Sequence, residues 1–265
     1  MEGSASDAPH GTASRLDVVL AERGLARSRS RAAELIAAGR VIVDGSVVTK
    51  AGARIAPSAI VGVSGDDTLN RYVSRAAGKL IAGLDAFGID PSGRLALDLG
   101  ASTGGFTQVL LERGAREVIA LDVGHGQLAA EIRDDARVRV VEGCNARDLT
   151  PRMLAELSGV DAAPEIVVGD LSFISLTLVL PAIARVASAD AALLLLIKPQ
   201  FEVGRQGIRA GIAVDPARVD EAVANVVRCA VEQGFVHHGT EPSPITGEHG
   251  NREFLAYFSR EVSTA

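Results

Sequence analysis

The sequence predicts an α/β protein built on a parallel, doubly wound sheet, with a small α+β module ahead of it. Three observations carry this. From Ser74 onward, short apolar runs alternate with stretches of helical periodicity, the pattern of strands joined by crossover helices. Ala191–Ile197 is apolar throughout, as a strand buried on both faces must be. Before residue 50, two short amphipathic helices precede a hairpin signal at Asp44-Gly45.

Composition narrows the setting. A chain of 265 residues holds one ordinary domain plus a small one, and 47% hydrophobic content is enough for a core. Aromatics are only 3%, with no Trp, so the core is aliphatic and base-stacking platforms should be few. Cys144 and Cys229 lie in separate elements without metal-ligand spacing, which predicts a reduced, cytoplasmic protein with no metal. Residues 1–13 are polar and small, a disordered tail rather than a secretory signal. The longest apolar run, Ala191–Ile197, is seven residues against the ~20 a bilayer needs, so no membrane partner is expected.

The net charge of −6 speaks against nucleic acid until the chain is divided. Residues 15–75 carry +4 and residues 76–265 carry −8, so positive charge gathers where a polyanion could be gripped.

In that basic module, Ser14 is placed to cap a helix over Arg15–Arg23, with Asp17 completing a capping box and Leu16, Val19 and Leu20 forming the apolar face. A second helix, Arg31–Ala38, starts near Ser28 or Ser30 and stops at Gly39; Arg27, Arg29 and Arg31 crowd its entrance. Strand, Asp-Gly turn and strand follow over Val41–Val48, with Lys50 and Arg54 beside them. The strings Arg15-Leu16-Asp17, Ser28-Arg29-Ser30, Ala33-Glu34-Leu35-Ile36, Gly39-Arg40-Val41 and Val43-Asp44-Gly45 resemble the S4-like RNA-binding domain, here residues 14–63. The resemblance implies RNA contacts from Arg15, Arg27, Arg29, Arg31, Arg40, Lys50 and Arg71, made to backbone and shape. Residues 64–73 read as a linker, with Arg71-Tyr72-Val73 available to dock on the second domain.

Residues 74–265 should form that second domain. Strands are expected near 95–99, 117–121, 138–141, 165–169, 191–197, 235–239 and 252–258, and helices near 74–87, 105–113, 126–133, 151–158, 173–187 and 215–233. The stretch Arg94–Phe106 organises it: a short strand ends in Asp98, passes through Gly100, Ala101, Ser102, Gly104 and Gly105, and opens at Phe106 into a helix whose free N–H groups can hold a carboxylate or phosphate. The next strand ends at Asp122-Val123, an acid 24 residues after Asp98 and placed for ribose hydroxyls. Two carboxylates around a glycine turn suit a cationic, hydroxyl-rich ligand better than a pyrophosphate, and S-adenosylmethionine has an ammonium, a carboxylate and a ribose diol.

Reacting groups gather at the carboxyl ends of such strands, which here offer Asp98, Asp122, Asn145, Asp170 and Lys198. A lysine at the mouth of an apolar strand needs a carboxylate beside it, and Asp170 on the neighbouring strand is the natural partner. This pattern resembles the Rossmann-like methyltransferases of the ribose 2′-O class, in which a Lys–Asp–Lys–Glu tetrad surrounds the target hydroxyl; the matching positions are Lys79, Asp170, Lys198 and Glu253. Combined with the S4-like module, the strings Asp98–Thr107, Asp122-Val123-Gly124, Gly126-Gln127-Leu128, Gly169–Ser175 and Lys198–Gly204 resemble the TlyA family, with its FtsJ-like domain, over about residues 14–258. The resemblance implies 2′-O-methylation of cytidine in ribosomal RNA or ribosomal subunits, with S-adenosylmethionine as donor, by proteins often labelled haemolysins. His125 departs from it, since Tyr is expected between Gly124 and Gly126 on the adenosine side.

Other chemistries fit less well. Amine methylation would place prolines after Asp170, where Leu171-Ser172-Phe173 stand, and cytosine C5 methylation would need a cysteine near the fourth or fifth strand. A nicotinamide dehydrogenase would carry glycine where Ser102 stands. A pore-forming haemolysin needs a membrane-active segment, and a non-catalytic RNA-binding protein would not need the tetrad. His237-His238 read as sheet-edge residues, whereas Arg205 and Arg209 could meet RNA phosphate or solvent alone.

Overall fold

The structure is a computed structural model that describes residues 13–64, 71–204, 208–209, 212–213, 215–247 and 250–260. The tail over residues 1–12, most of the expected linker, Arg205 and the side chain of Arg209 lie outside the described residues. Residues 1–71 and 72–265 form two compact units.

In the first unit, the helices Leu16–Glu22 and Arg29–Ala37 lie beside an antiparallel sheet in which Val41–Val43 is flanked by Ser46–Val47 and Val61–Val63. Leu16, Leu20, Ala32, Leu35, Ile36 and Val41 close its core, the 3–4 spacing expected of two amphipathic helices. Asp44 (φ 48°) and Gly45 (φ 82°) make the expected tight hairpin turn. Ser28 caps the second helix, accepting from Arg31 N at 3.2 Å. Ser14 does not cap the first: it pairs with Ile55 in a short antiparallel ladder, and Arg15 takes the cap position without a side-chain bond.

The second unit holds a seven-stranded sheet: β1 (Leu95–Leu99), β2 (Glu117–Leu121), β3 (Val138–Val141), β4 (Ile166–Gly169), β5 (Ala192–Ile197), β6 (Phe235–Pro242) and β7 (Phe254–Arg260). Their order is β6-β7-β5-β4-β1-β2-β3, parallel except that β7 runs against both its neighbours. The helices Leu176–Val186 and Pro216–Glu232 pack on one another, as do Ala77–Phe87 and Gly105–Glu112. Every residue of β1, β4 and β5 is buried, which explains the unbroken apolar sequences of β4 and β5; in β1 the run is interrupted by Asp98.

Expected element ends shift by a few residues where loops carry the site. The helix after β4 begins at Leu176, with Ser175 Oγ accepting from Thr177 N at 3.2 Å, so Leu171–Ile174 stay as loop. A one-turn helix, Pro199–Glu202, follows β5. Tyr72 and Val73 belong to the second unit: the Tyr72 hydroxyl donates to Glu112 at 2.6 Å and Val73 N donates to Gln108 at 2.8 Å.

Candidate active site

The carboxyl ends of β1, β2, β4 and β5 open on three adjoining cavities. One of about 420 Å³ is lined by Lys79, Asp170, Lys198, Gln200, Asn251 and Glu253; another of about 810 Å³ runs past Asp122, Val123, Gln127, Asn145, Leu171 and Phe173. Both are of a size that holds a small molecule or a nucleoside. A neck of about 170 Å³ joins them, formed by Gly100, Ala101, Ser102, Thr103, Gly105 and Phe106 with Lys198. Asp170 and Ser172 line all three.

Strand register brings the charged groups together. Lys198 and Asp170 directly follow β5 and β4, which are parallel neighbours, and Glu253 directly precedes β7 on the other side of β5. Lys79 enters from the helix Ala77–Phe87. Lys79 Nζ donates to Glu253 Oε2 at 2.5 Å and lies 3.7 Å from Asp170 Oδ2. Lys198 Nζ stands 2.6 Å from Asp170 Oδ1, a charge contact rather than a directed hydrogen bond, and donates to Ser172 Oγ at 2.7 Å. Lys79, Lys198 and Glu253 are all buried. Two cations alternate with two anions, which keeps buried charge compensated. The four residues expected to act together do meet.

The glycine turn is held from both sides. Gly100 has φ 80°, and a Cβ there would come 3.0 Å from Asp170 O, so only glycine lets β1 and the loop after β4 approach. Asp122 anchors the turn: Oδ2 accepts from Ser102 N at 2.8 Å and Oδ1 from Gly124 N at 2.7 Å. Asn145, Val123, Ala101, Gly105 and Phe106 line the cavities as expected.

Two expected ligand residues lie behind the cavity walls instead. Asp98 is fully buried; Thr107 Oγ1 donates to its Oδ2 at 2.7 Å, and burial pushes its carboxyl up to about 7. Gly104 (φ 98°) turns the chain against Leu128 and Ile132, where a Cβ would come 2.9 Å from Leu128 Cδ1. His125 likewise sits against Gly143 and lines none of the three cavities.

Ser172, Gln127, Phe173 and Phe201 fall within the strings that carry the resemblance, but the sequence alone assigns them no role. Phe173 has φ 64°, is 87% exposed, and its ring centroid lies 5.3 Å from that of Phe201. A positive φ is uncommon for a bulky residue, and this one lines both larger cavities.

In the first unit the basic residues differ in engagement. Arg15 Nε and Arg29 Nη2 reach Asp17 at 3.0 and 3.2 Å, and their bonds, Arg15's first, hold its carboxyl down at about 2. Arg31 pairs with Glu34, and Arg40 donates to Ser64 O at 2.8 Å. Arg27, Lys50 and Arg71 are exposed. His237 and His238 bond Thr240 and Ser259 at the sheet edge, and the described residues contain no cluster able to hold a metal. Nor is any described helix long and apolar enough to cross a membrane.

A parallel sheet with one reversed strand, a glycine turn after β1 and an acid after β2 define a Rossmann-like methyltransferase. Residues 72–260 match the FtsJ-like methyltransferase model and residues 14–61 the S4 domain. The chain belongs to the FtsJ-like methyltransferase family. A relative from Mycobacterium tuberculosis, named 16S/23S rRNA (cytidine-2'-O)-methyltransferase TlyA, is 45% identical over 252 residues, covering 95% of this chain and 91% of that one. Hemolysin A of Brachyspira hyodysenteriae is 39% identical, covering 92% of this chain and 99% of that one. A solved structure from Streptococcus thermophilus, given as a provisional hemolysin, aligns with a TM-score of 0.74 and 37% identity over 95% of this chain and 90% of that one.

Proposed function

We propose that this protein methylates the 2′-hydroxyl of a cytidine ribose in ribosomal RNA, using S-adenosylmethionine, with the S4 unit gripping the RNA. The observation that carries the reading is the Lys79–Glu253 and Asp170–Lys198 cluster opening through a neck onto a nucleoside-sized cavity.

The residues present fit the donor. Asp122 faces the larger cavity with lone pairs to spare for ribose hydroxyls, Leu171, Ile174 and Leu178 give an apolar wall for a purine, and the turn at Gly100–Phe106 suits an amino-acid arm. Bound there, S-adenosylmethionine supplies an electrophilic methyl group on its sulfur. A ribose hydroxyl is a poor nucleophile, so its proton must leave as the O–C bond forms. Lys198, once its own proton has passed to solvent, is placed to take that proton, and Asp170 stabilises the ammonium that is formed again. Lys79 and Glu253 fix the far side of the ribose, and Phe173 offers an aromatic face on which a base can stack.

The test is transfer of labelled methyl from S-adenosylmethionine to unmodified ribosomal subunits, followed by nuclease digestion. Label in 2′-O-methylcytidine is expected; label on a base would overturn the reading.

A further inference from the structure

We infer that Ser172, through the hydrogen bond its Oγ accepts from Lys198 Nζ, is a positioning residue that sets the direction in which Lys198 meets the substrate hydroxyl. The inference rests on the proposed 2′-O-methyl transfer and adds a residue outside the Lys79–Asp170–Lys198–Glu253 cluster.

Two contacts surround the Lys198 ammonium, and they differ in kind. Asp170 Oδ1 is the nearer at 2.6 Å, but it lies outside hydrogen-bonding geometry and acts as a charge. A charge contact restrains distance and leaves rotation about Cε–Nζ free. Ser172 Oγ at 2.7 Å supplies the directed bond. A neutral amine has two N–H groups and one lone pair. With one N–H committed to Ser172, the negative charge of Asp170 repels the lone pair and favours the second N–H on its own side, which leaves the lone pair along the third tetrahedral direction. Lys198 is 8% exposed and lines the cluster's cavity, so that direction is toward the site where the ribose must lie.

The placement of Ser172 supports this. Apart from Asp170, it is the residue common to the linings of all three cavities, so it stands where the donor's reactive end and the hydroxyl converge. The loop turns just after it, at Phe173 with φ 64°. Lys198 carries the proton; Ser172 determines where it is collected.

The experiment is single-turnover methyl transfer to unmodified ribosomal subunits by the full chain, with donor affinity measured by calorimetry. Ser172→Ala is expected to slow transfer between about tenfold and a hundredfold, the range for a misaligned proton acceptor, with donor affinity within twofold of wild type. Ser172→Thr, which keeps the hydroxyl, should restore most of the rate. Ser172→Cys, nearly isosteric but a weak acceptor, should follow Ala. In a Lys198→Ala background, adding Ser172→Ala should cost nothing further, because Ser172 acts through Lys198. A Ser172→Ala rate within twofold of wild type would overturn the inference. So would a loss of donor affinity matching the loss of rate, which would make Ser172 a donor contact. If wild type forms no 2′-O-methylnucleoside, the proposed function fails; if it does and Ser172→Ala matches it, this inference alone fails.

Discussion

The Glu202 carboxyl, just past β5, accepts the Ser175 hydroxyl at 2.5 Å and Leu176 N at 2.8 Å, the first turn of the helix that follows β4. It thereby ties the loop carrying Asp170, Ser172 and Phe173 to the loop carrying Lys198 and Phe201. Burial pushes this carboxyl up from its ordinary value, while the Ser175 and Leu176 donors pull the other way. Glu202→Ala leaves two donors at a helix start without their acceptor, a loss of about 1–3 kcal/mol in denaturant unfolding. Methyl-transfer rate should fall with it. Glu202→Gln keeps an acceptor for Leu176 N and should stay close to wild type in both measurements.

Lys79 and Glu253 form a buried pair at 2.5 Å, with the Asp170 carboxylate farther from the lysine at 3.7 Å. Replacing either alone, by Lys79→Met or Glu253→Leu, strands a charge and should cost about 3–5 kcal/mol. The double replacement should recover much of that stability while methyl transfer stays lost. A double-mutant cycle measured by unfolding separates the two roles; strictly additive losses would mean the pair is not coupled.

Asp98 gives a pH signature. Its carboxyl sits at about 7 rather than 3.8, pushed up first by burial and then by the charges of Asp170 and Asp122 against the pull of Thr107. A folded value above the unfolded one means the protein favours the protonated form. That contribution is fully present below pH 3.8 and is lost as pH rises through about 7. At 1.36 kcal/mol per unit the span is up to about 4 kcal/mol. Asp98→Asn cannot ionise, so its unfolding midpoint should fall less between pH 5 and pH 8 than that of wild type. Parallel curves would show that Asp98 does not titrate in this range.

The same residue shows what the sequence could and could not reveal. Apolar runs fixed where strands end, so Asp98, Asp122, Asp170 and Lys198 were all legible as strand-end groups. Their depth was not. Asp122 lies one residue past β2 and turns into the cavity, whereas Asp98 is still inside β1 and points beneath the turn. Asp98 pairs with Ala120, two positions short of Asp122, so the two acids share a sheet face and differ in whether they lie within the sheet or past its edge, which no periodicity resolves. Ser172 and Phe173 were hidden differently: they lie in a loop shaped by a positive φ, which composition does not announce. Ser14 failed as a cap because a partner some forty residues away, Ile55, draws it into a ladder. Local propensity loses there to tertiary pairing.

Asp122 should prove intolerant of a conservative change. Both of its oxygens accept from backbone, Ser102 N on one side and Gly124 N on the other. Asparagine has only one acceptor oxygen, so Asp122→Asn turns an N–H group against an N–H group. Donor affinity should therefore fall about as far in Asp122→Asn as in Asp122→Ala, by roughly tenfold to a hundredfold for a lost charged bond of about 1.5–3 kcal/mol. Calorimetric titration with S-adenosylmethionine measures this. An Asn variant that binds like wild type would remove the charge and its backbone bonds from the pocket's workings.

In the S4 unit the prediction is a graded one. Removing a cation that neutralises one RNA phosphate should reduce the slope of log affinity against log salt by about 0.7–0.9. Arg15 and Arg29 already share Asp17, so part of their charge is spent inside the protein, and replacing Arg29 also removes a partner from a buried carboxylate. Lys50 is exposed, and Lys50→Ala should therefore flatten the salt dependence of RNA binding while leaving unfolding unchanged. Arg29→Ala should lower stability and change the slope less. Filter binding at several salt concentrations, beside denaturant unfolding, tells the two apart. If Arg29→Ala flattens the slope as much as Lys50→Ala and leaves stability intact, the Asp17 pair gives way when RNA binds, and Arg29 is a phosphate contact first.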